Sequence, residues 1–322
     1  MHTQILSRRA ALAQTGLLVA GTVLGEGATQ ESPVNPAGKE TGRPFNYCLN
    51  TATIRGHKLG LVKEIEVAAK AGYDAIEPWV DAIQKHVESG GTLADLKKRI
   101  GDSGLTVESA IGFPEWIVED EARRAKGMER AKREMDLVAQ IGGKRFAAPP
   151  AGATDLPKLD LMRAVERYLA LLEAGDQAGV APQLELWGFS KNLNRLGECI
   201  CVAMETGHPK ASVLADVFHV HKGGSDFHGA RLLGAKAIQV LHMNDFPSDH
   251  PREKIDDSYR IYPGDGAAPL TDMLHILHET GGQKVLSLEL FNRKYWAEDA
   301  LSVAQKGLAK MKSVVAKAMV DI

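Results

Sequence analysis

The stretch Ala71-Gly72-Tyr73-Asp74-Ala75-Ile76-Glu77-Pro78-Trp79 holds a helix stop, a short strand and a polar strand end within nine residues. Upstream, Leu59–Ala71 carries apolar residues at 61, 62, 65, 68 and 69, the spacing of one helix face. Gly72 ends that helix, because a glycine accepts the left-handed conformation of a helix C-terminus. The run 74–77 is too short for a helix and ends on a glutamate followed by proline. The same punctuation returns at Ile141-Gly142-Gly143-Lys144 and at Ala178-Gly179-Val180.

Working outward from this unit, eight strands are expected. They are Phe45–Leu49, Asp74–Glu77, Thr106–Ile111, Arg145–Ala147, Gln183–Leu186, Ser212–Asp216, Ala237–Met243 and Val285–Leu290. Helical patterns separate them, among them Glu119–Ile141, Leu161–Ala178, Leu270–Glu279 and a last one near Glu298–Met319. Strands alternating with longer amphipathic segments indicate βαβ units and a parallel sheet. No G-x-G-x-x-G follows the first strand, which argues against an open dinucleotide-binding sheet. The expected fold is α/β, a single (β/α)8 TIM barrel over residues 45–322. Such a barrel takes roughly 250 residues, so the chain of 322 residues needs no second domain.

In a parallel barrel the C-terminal strand ends form the active-site mouth. Four successive strands end on a polar residue: Glu185, Asp216, His242 and Glu289. A carboxylate or imidazole at the end of an apolar strand is costly to bury unless it is paired or bound to metal. Neighbouring strands lie about 4.8 Å apart, so the four side chains can converge on one point. Three carboxylates and one imidazole make a hard, mainly oxygen site. It suits one divalent ion, Mn²⁺ first, with Mg²⁺, Co²⁺ or Zn²⁺ as alternatives.

The chain resembles the sugar (phosphate) isomerase/epimerase superfamily of xylose isomerase-like barrels, which includes ketose 3-epimerases, inosose dehydratases and endonuclease IV. The resemblance spans about Phe45 to Met319. It rests on Gly72–Glu77, Asp216-x-x-His219, His242-Met243-Asn244-Asp245 with Pro263-Gly264-Asp265-Gly266 after it, and Leu288-Glu289. It implies Glu185, Asp216, His242 and Glu289 as metal ligands and His219 as a substrate contact. Two positions depart from the ketohexose epimerases: Lys191 stands where they have a second glutamate, and Ser248 where they have an arginine. Their grip on the substrate end is therefore expected to be absent.

This ligand set implies proton abstraction beside a carbonyl. A metal stabilises the enediolate as a Lewis acid, and a carboxylate moves the proton, contributing roughly 10²–10⁴-fold. Glu185 and Glu289 are the expected catalytic pair, one removing the proton and the other returning it, which isomerises or epimerises a sugar-like ketone. Expulsion of a neighbouring substituent would instead make the enzyme a lyase or dehydratase on a keto-sugar, 3-keto-glycoside or inosose. A non-catalytic carbohydrate-binding barrel is the remaining alternative. Further candidate substrate contacts are Glu77, Trp187, Lys191, Asp245 and His57, with Trp79, Phe113 and Trp116 as aromatic neighbours of the strand ends. His275-x-x-His278-Glu279 looks metal-like but falls on a helix outside the barrel, where a solvated face is expected.

Ser7-Arg8-Arg9 followed by the weakly apolar run Leu12–Leu24 reads as a twin-arginine-like signal peptide over residues 1–28, which implies export to the periplasm. That run is shorter than the ~20 residues of a spanning helix, so no stable membrane insertion is expected after signal removal. Residues 29–44 are Pro/Gly/polar-rich and read as a flexible linker. Three cysteines give an odd count, and Cys199-x-Cys201 on a helix is a poor chelate because neighbours two apart face different ways. The net charge of -2 and pI of about 6.6 lack the basic surplus of a nucleic-acid binder. The expected partner is a small carbohydrate; homo-oligomer formation is left open.

Overall fold

The computed structural model describes residues 43–320. The expected signal peptide, and the expected linker up to residue 42, lie outside the described residues. Eight parallel strands appear among the described residues: β1 Phe45–Asn50, β2 Ala75–Glu77, β3 Thr106–Val107, β4 Arg145–Ala148, β5 Ala181–Glu185, β6 Val213–Asp216, β7 Ile238–Met243 and β8 Lys284–Leu288. They are ordered β3-β2-β1-β8-β7-β6-β5-β4. Between β3 and β4 the ring is completed by backbone bonds from Lys144 to Val107, from Ala110 to Arg145 and from Ala147 to Ala110. All eight expected strands are present, and the fold is the (β/α)8 barrel read from the sequence.

The helices outside the ring are α1 Leu61–Ala71, α2 Val80–Glu88, α3 Leu93–Asp102, α4 Glu121–Gln140, α5 Leu161–Ala178, α6 Leu196–Glu205, α7 Val217–Lys222, α8 Leu270–Glu279 and α9 Ala300–Ala318. Helices α2, α3 and α7 were not assigned from the sequence. The reason is clearest at α7, which starts on the residue after β6: Asp216 ends the strand and its carboxylate accepts from the His219 N–H as the helix cap. With no spacer between the two periods, the helical pattern is too short to stand out. Gly72 closes α1 as expected, with φ +91°, and hands the chain to Asp74, whose carboxylate accepts from the Tyr47 N–H of β1.

Strand parity divides the core. Leu49, Ile76, Phe146, Leu184, Val213, Leu241, Leu286 and Leu288 belong to the large cluster shared with the helices. Cys48, Ala75, Ala147, Leu214, Val240 and Val285 form a separate small cluster, the filling of the ring itself. Side chains two apart on a strand share a face. Asp216 stands two past Leu214, His242 two past Val240, Glu77 two past Ala75, and Ser287 two past Val285. The parity that fills the barrel therefore carries these polar residues to its upper end. Register agrees, since Asp216 is opposite His242 and His242 opposite Ser287. The three cysteines are free; Cys48 and Cys199 are buried. His275 pairs with Glu279 on the outer face of α8.

Candidate active site

The four residues expected to hold a metal come together. His242 Nδ1 lies 3.0 Å from Glu289 Oε2, 3.5 Å from Asp216 Oδ2 and 3.8 Å from Glu185 Oε1. Glu185, His242 and Glu289 each offer one ligand atom within 4.8 Å of the others, and all are buried. The His242 tautomer follows from its other nitrogen. Nε2 is 3.0 Å from Glu77 Oε2, so it carries the hydrogen and donates it. The Nδ1 lone pair then faces three carboxylate oxygens and has no hydrogen-bond partner. An acceptor turned on acceptors inside a buried site is resolved by a cation or by a proton. With no ion, burial opposes the imidazolium, but the Glu289 and Glu77 carboxylates outweigh it and raise the His242 pKa well above its usual value. The donor set, one imidazole nitrogen and several carboxylate oxygens, fits a hard divalent ion.

The carboxylates are not equivalent. Burial pushes the Glu185 carboxyl up to about 8, with the charges of Glu289 and Asp216 adding to it and His242 and Arg260 opposing. Its Oε2 is buried and makes no hydrogen bond. Glu289 is held on both oxygens, Oε1 by Asn50 Nδ2 at 3.0 Å and Oε2 by Arg260 at 2.9 Å. Asp216 is also gripped by Arg260, at 2.5 Å, and by Asn244 at 3.3–3.4 Å. Burial penalises the Asp216 carboxylate, yet the Arg260 guanidinium outweighs it and holds the group ionised.

Arg260 is the main residue the sequence analysis missed. Its side chain is 1% exposed, and its guanidinium spans Asp216, Glu289, Asp257 and the His219 ring. The Arg260 donor fixes His219 as well: Nε2 accepts at 3.0 Å, so Nδ1 carries the hydrogen. That Nδ1 is buried and without a partner. Burial lowers the His219 pKa, keeping the ring neutral against the pull of Asp216. A guanidinium thus does reach the mouth, from Arg260, farther along the same β7–α8 segment that carries Ser248. The chain returns antiparallel to the end of β7, with Asp245 and Ile261 exchanging backbone bonds of 3.0 Å, and this brings the preceding Arg260 to the mouth.

Several expected substrate contacts are occupied otherwise. Asp245 accepts from the N–H groups of Phe246, Gly264, Gly266 and Ala268, so it organises the loop behind Arg260. Gly266 is required there, because a Cβ would stand 2.2 Å from the Phe246 carbonyl. Glu77 is fully buried below the mouth; its Oε2 accepts from His242, Asn50 and Ser287 rather than gripping a hydroxyl. The Lys191 ammonium is exposed and donates to the Asp155 carbonyl. His57 faces the backbone carbonyls of Ile54 and Glu298 with its two nitrogens. Trp116 is buried and donates to the Pro149 carbonyl. Trp187 does stand at the mouth, packed on Phe113 and Phe189.

Glu77 therefore orients His242 from behind. Carboxylates in that position typically raise metal affinity 10–100-fold. Glu77→Gln should weaken Mn²⁺ binding by about that factor, read by calorimetric titration, with the fold kept as judged by circular dichroism. An unchanged dissociation constant would remove the orienting role.

The family model for a xylose isomerase-like TIM barrel matches residues 65–314. The inosose isomerase of Halalkalibacterium halodurans is 28% identical over 278 residues, covering 81% of this chain and 94% of that protein. The 3-dehydroshikimate dehydratase of Pseudomonas putida is 23% identical over 261 residues, 78% of this chain but 39% of that longer protein. Among solved structures, the IolI protein with a bound zinc atom superposes with a TM-score of 0.79 at 24% identity, covering 85% of this chain and 99% of that one. The match over most of the barrel and the shared architecture give one conclusion: the chain belongs to the xylose isomerase-like TIM barrel family.

Proposed function

We propose that this protein is a divalent-metal-dependent isomerase or epimerase that moves a proton on the carbon beside the carbonyl of a sugar-like polyhydroxy ketone. The observation that carries the reading is the buried His242 Nδ1 set 3.0–3.8 Å from the oxygens of Glu289, Asp216 and Glu185. The similarity to inosose isomerase supports a cyclic ketone of the inosose type.

A divalent ion on Glu185, Asp216, His242 and Glu289, with Mn²⁺ the first choice, supplies Lewis acidity toward the carbonyl and the adjacent hydroxyl. The protein's own groups handle the proton. Glu185 Oε2, buried and without a hydrogen bond, accepts it from carbon. The C–H electron pair becomes a C=C bond while the carbonyl π pair moves onto oxygen, giving an enediolate. Glu289, reaching in from the end of β8, passes on from another side a proton drawn from solvent and is left as the carboxylate it began as. Arg260 holds Asp216 and Glu289 in place and, with His219, forms a donor edge for substrate oxygens. The dry surroundings strengthen each of these interactions.

One observation favours elimination as a second reading. The His219 Nδ1–H is a buried donor with no acceptor among the described residues, and expulsion of a hydroxyl needs a proton on the leaving oxygen. The similarity to a dehydratase points the same way.

Chelator-treated protein should lose turnover of an inosose and regain it with Mn²⁺, and proton NMR of the product separates the two outcomes. An isomer of unchanged composition supports isomerisation, whereas loss of water with a new double bond supports elimination. Turnover that survives complete metal removal would sink both readings.

A further inference from the structure

Aromatic side chains run round the mouth in an unbroken series. Phe291 and Trp79 have ring centroids 6.0 Å apart, Trp79 and Phe113 5.1 Å, Phe113 and Trp187 5.9 Å, and Trp187 and Phe189 5.3 Å. They come from the segments after β2, β3, β5 and β8. At one end the Phe189 ring meets His219 at 5.4 Å, and His219 is bonded to Arg260. At the other, Arg260 lies over Phe291, and next to it Trp79 donates its indole N–H to Asn50, which holds Glu77 and Glu289. The collar is therefore continuous with the site on both flanks.

Mutual packing accounts for part of it, since Trp79, Phe113, Trp187 and Phe291 are only half-buried. It does not account for Phe189, which is 45% exposed and is the sole aromatic among the exposed large hydrophobics of the described residues. Trp187 and Phe189 lie nearly parallel, at 26°, and present an apolar face beside the site. Charge sits on the other two rings of the collar or is turned away from it. Arg55 stacks on Trp79 and pairs with Asp81, Arg260 lies over Phe218 and Phe291, and Lys191 is turned to the Asp155 carbonyl. Among the described residues no cationic side chain stacks on Phe113, Trp187 or Phe189.

The five rings follow one another at centroid spacings of 5.1–6.0 Å, so the series is longer than one six-membered ring is wide. We infer that the substrate has two parts: a polyhydroxy ring over the carboxylates, and a planar, uncharged group such as an aryl aglycone lying on Phe113, Trp187 and Phe189. This inference rests on the reading of the site given above and takes its sugar-like ketone to be a glycoside of a keto-sugar in place of a bare inosose-type ring. The polar part is fixed by Arg260 and His219, and the aglycone gains from aromatic stacking and exclusion of water from Phe189.

The test separates binding from chemistry by using ligands that carry no ketone. Phenyl β-D-glucopyranoside and methyl β-D-glucopyranoside are titrated into the Mn²⁺-loaded protein by ligand-observed NMR. The phenyl glycoside should bind about tenfold more tightly, and Phe189→Ala should erase most of that preference. Phe189 is exposed, so its truncation leaves the core intact; Phe189→Leu, keeping apolar area without the ring, should restore little. Equal affinity for the two glycosides, no measurable affinity for either, or a preference that survives both Phe189 variants overturns the inference. Because neither probe can enolise, a phenyl preference without any proton exchange on ketones would keep the aglycone subsite and discard the enzymatic reading. Exchange without the preference would do the reverse.

Discussion

Glu289→Gln should lower turnover by about 10³–10⁴-fold and weaken Mn²⁺ binding in the same variant, since the residue is both a ligand and a proton carrier. The amide is nearly the same size, so packing is kept. What changes is charge and acceptor capacity: Oε1 now accepts from Asn50 and Oε2 from Arg260, and an amide nitrogen can accept from neither. Glu185→Gln tests the second carboxylate, which is likewise ligand and proton carrier. Its Oε2 has no bonded partner to lose, so turnover should fall by a similar factor with a smaller change in metal affinity. Progress curves by NMR together with calorimetric metal titration measure both numbers. A Glu289→Gln enzyme within tenfold of the unaltered protein would exclude this carboxylate from the chemistry.

The second large effect is expected at Arg260. Arg260→Met should reduce kcat/KM by about 10²–10³-fold, because bonds to a charged group are worth about 1.5–3 kcal/mol each and several are lost together. Metal affinity should move the other way or not at all. The guanidinium shares Asp216 Oδ2 and Glu289 Oε2 with the face of His242 Nδ1, so its removal takes away a competing cation. Arg260→Lys should rescue little. One ammonium cannot reach Asp216 and Glu289 on one side and Asp257 and His219 on the other. Breaking a buried ion network commonly costs about 3–5 kcal/mol of stability, so a melting curve in Mn²⁺ must accompany the kinetics. Loss of activity with weakened Mn²⁺ binding would mean that Arg260 builds the metal site rather than the substrate edge.

The eight strands were legible because short apolar runs, glycine stops and long amphipathic segments repeat with little interruption, and strand parity then carried Asp216 and His242 to the same inner face. The four convergent residues were readable as the polar ends of four successive strands, together with the family resemblance. Arg260 was not. It lies 18 positions past His242 in a loop without periodicity, and only the Asp245–Ile261 pairing turns it inward. Glu77, Asp245, Lys191 and His57 show the opposite limit. A sequence marks a polar residue near a strand end, but whether its side chain meets substrate or is consumed by the protein depends on partners far along the chain, such as Ser287 for Glu77 and Gly264 for Asp245. The aromatics divide in the same way: Trp116 and Trp187 look alike in sequence, yet one is sealed against Pro149 and the other stands in the collar.

Solvent deuterium exchange tests the central claim most directly. The Mn²⁺-loaded protein is incubated in D₂O with an inosose and followed by proton NMR. Deuterium should enter at the carbon beside the carbonyl, with the carbon skeleton intact, in the unaltered protein, and should be lost in Glu185→Gln and Glu289→Gln. Conversion of the substrate with no deuterium incorporated, or incorporation that both variants retain, would contradict proton transfer by these two carboxylates.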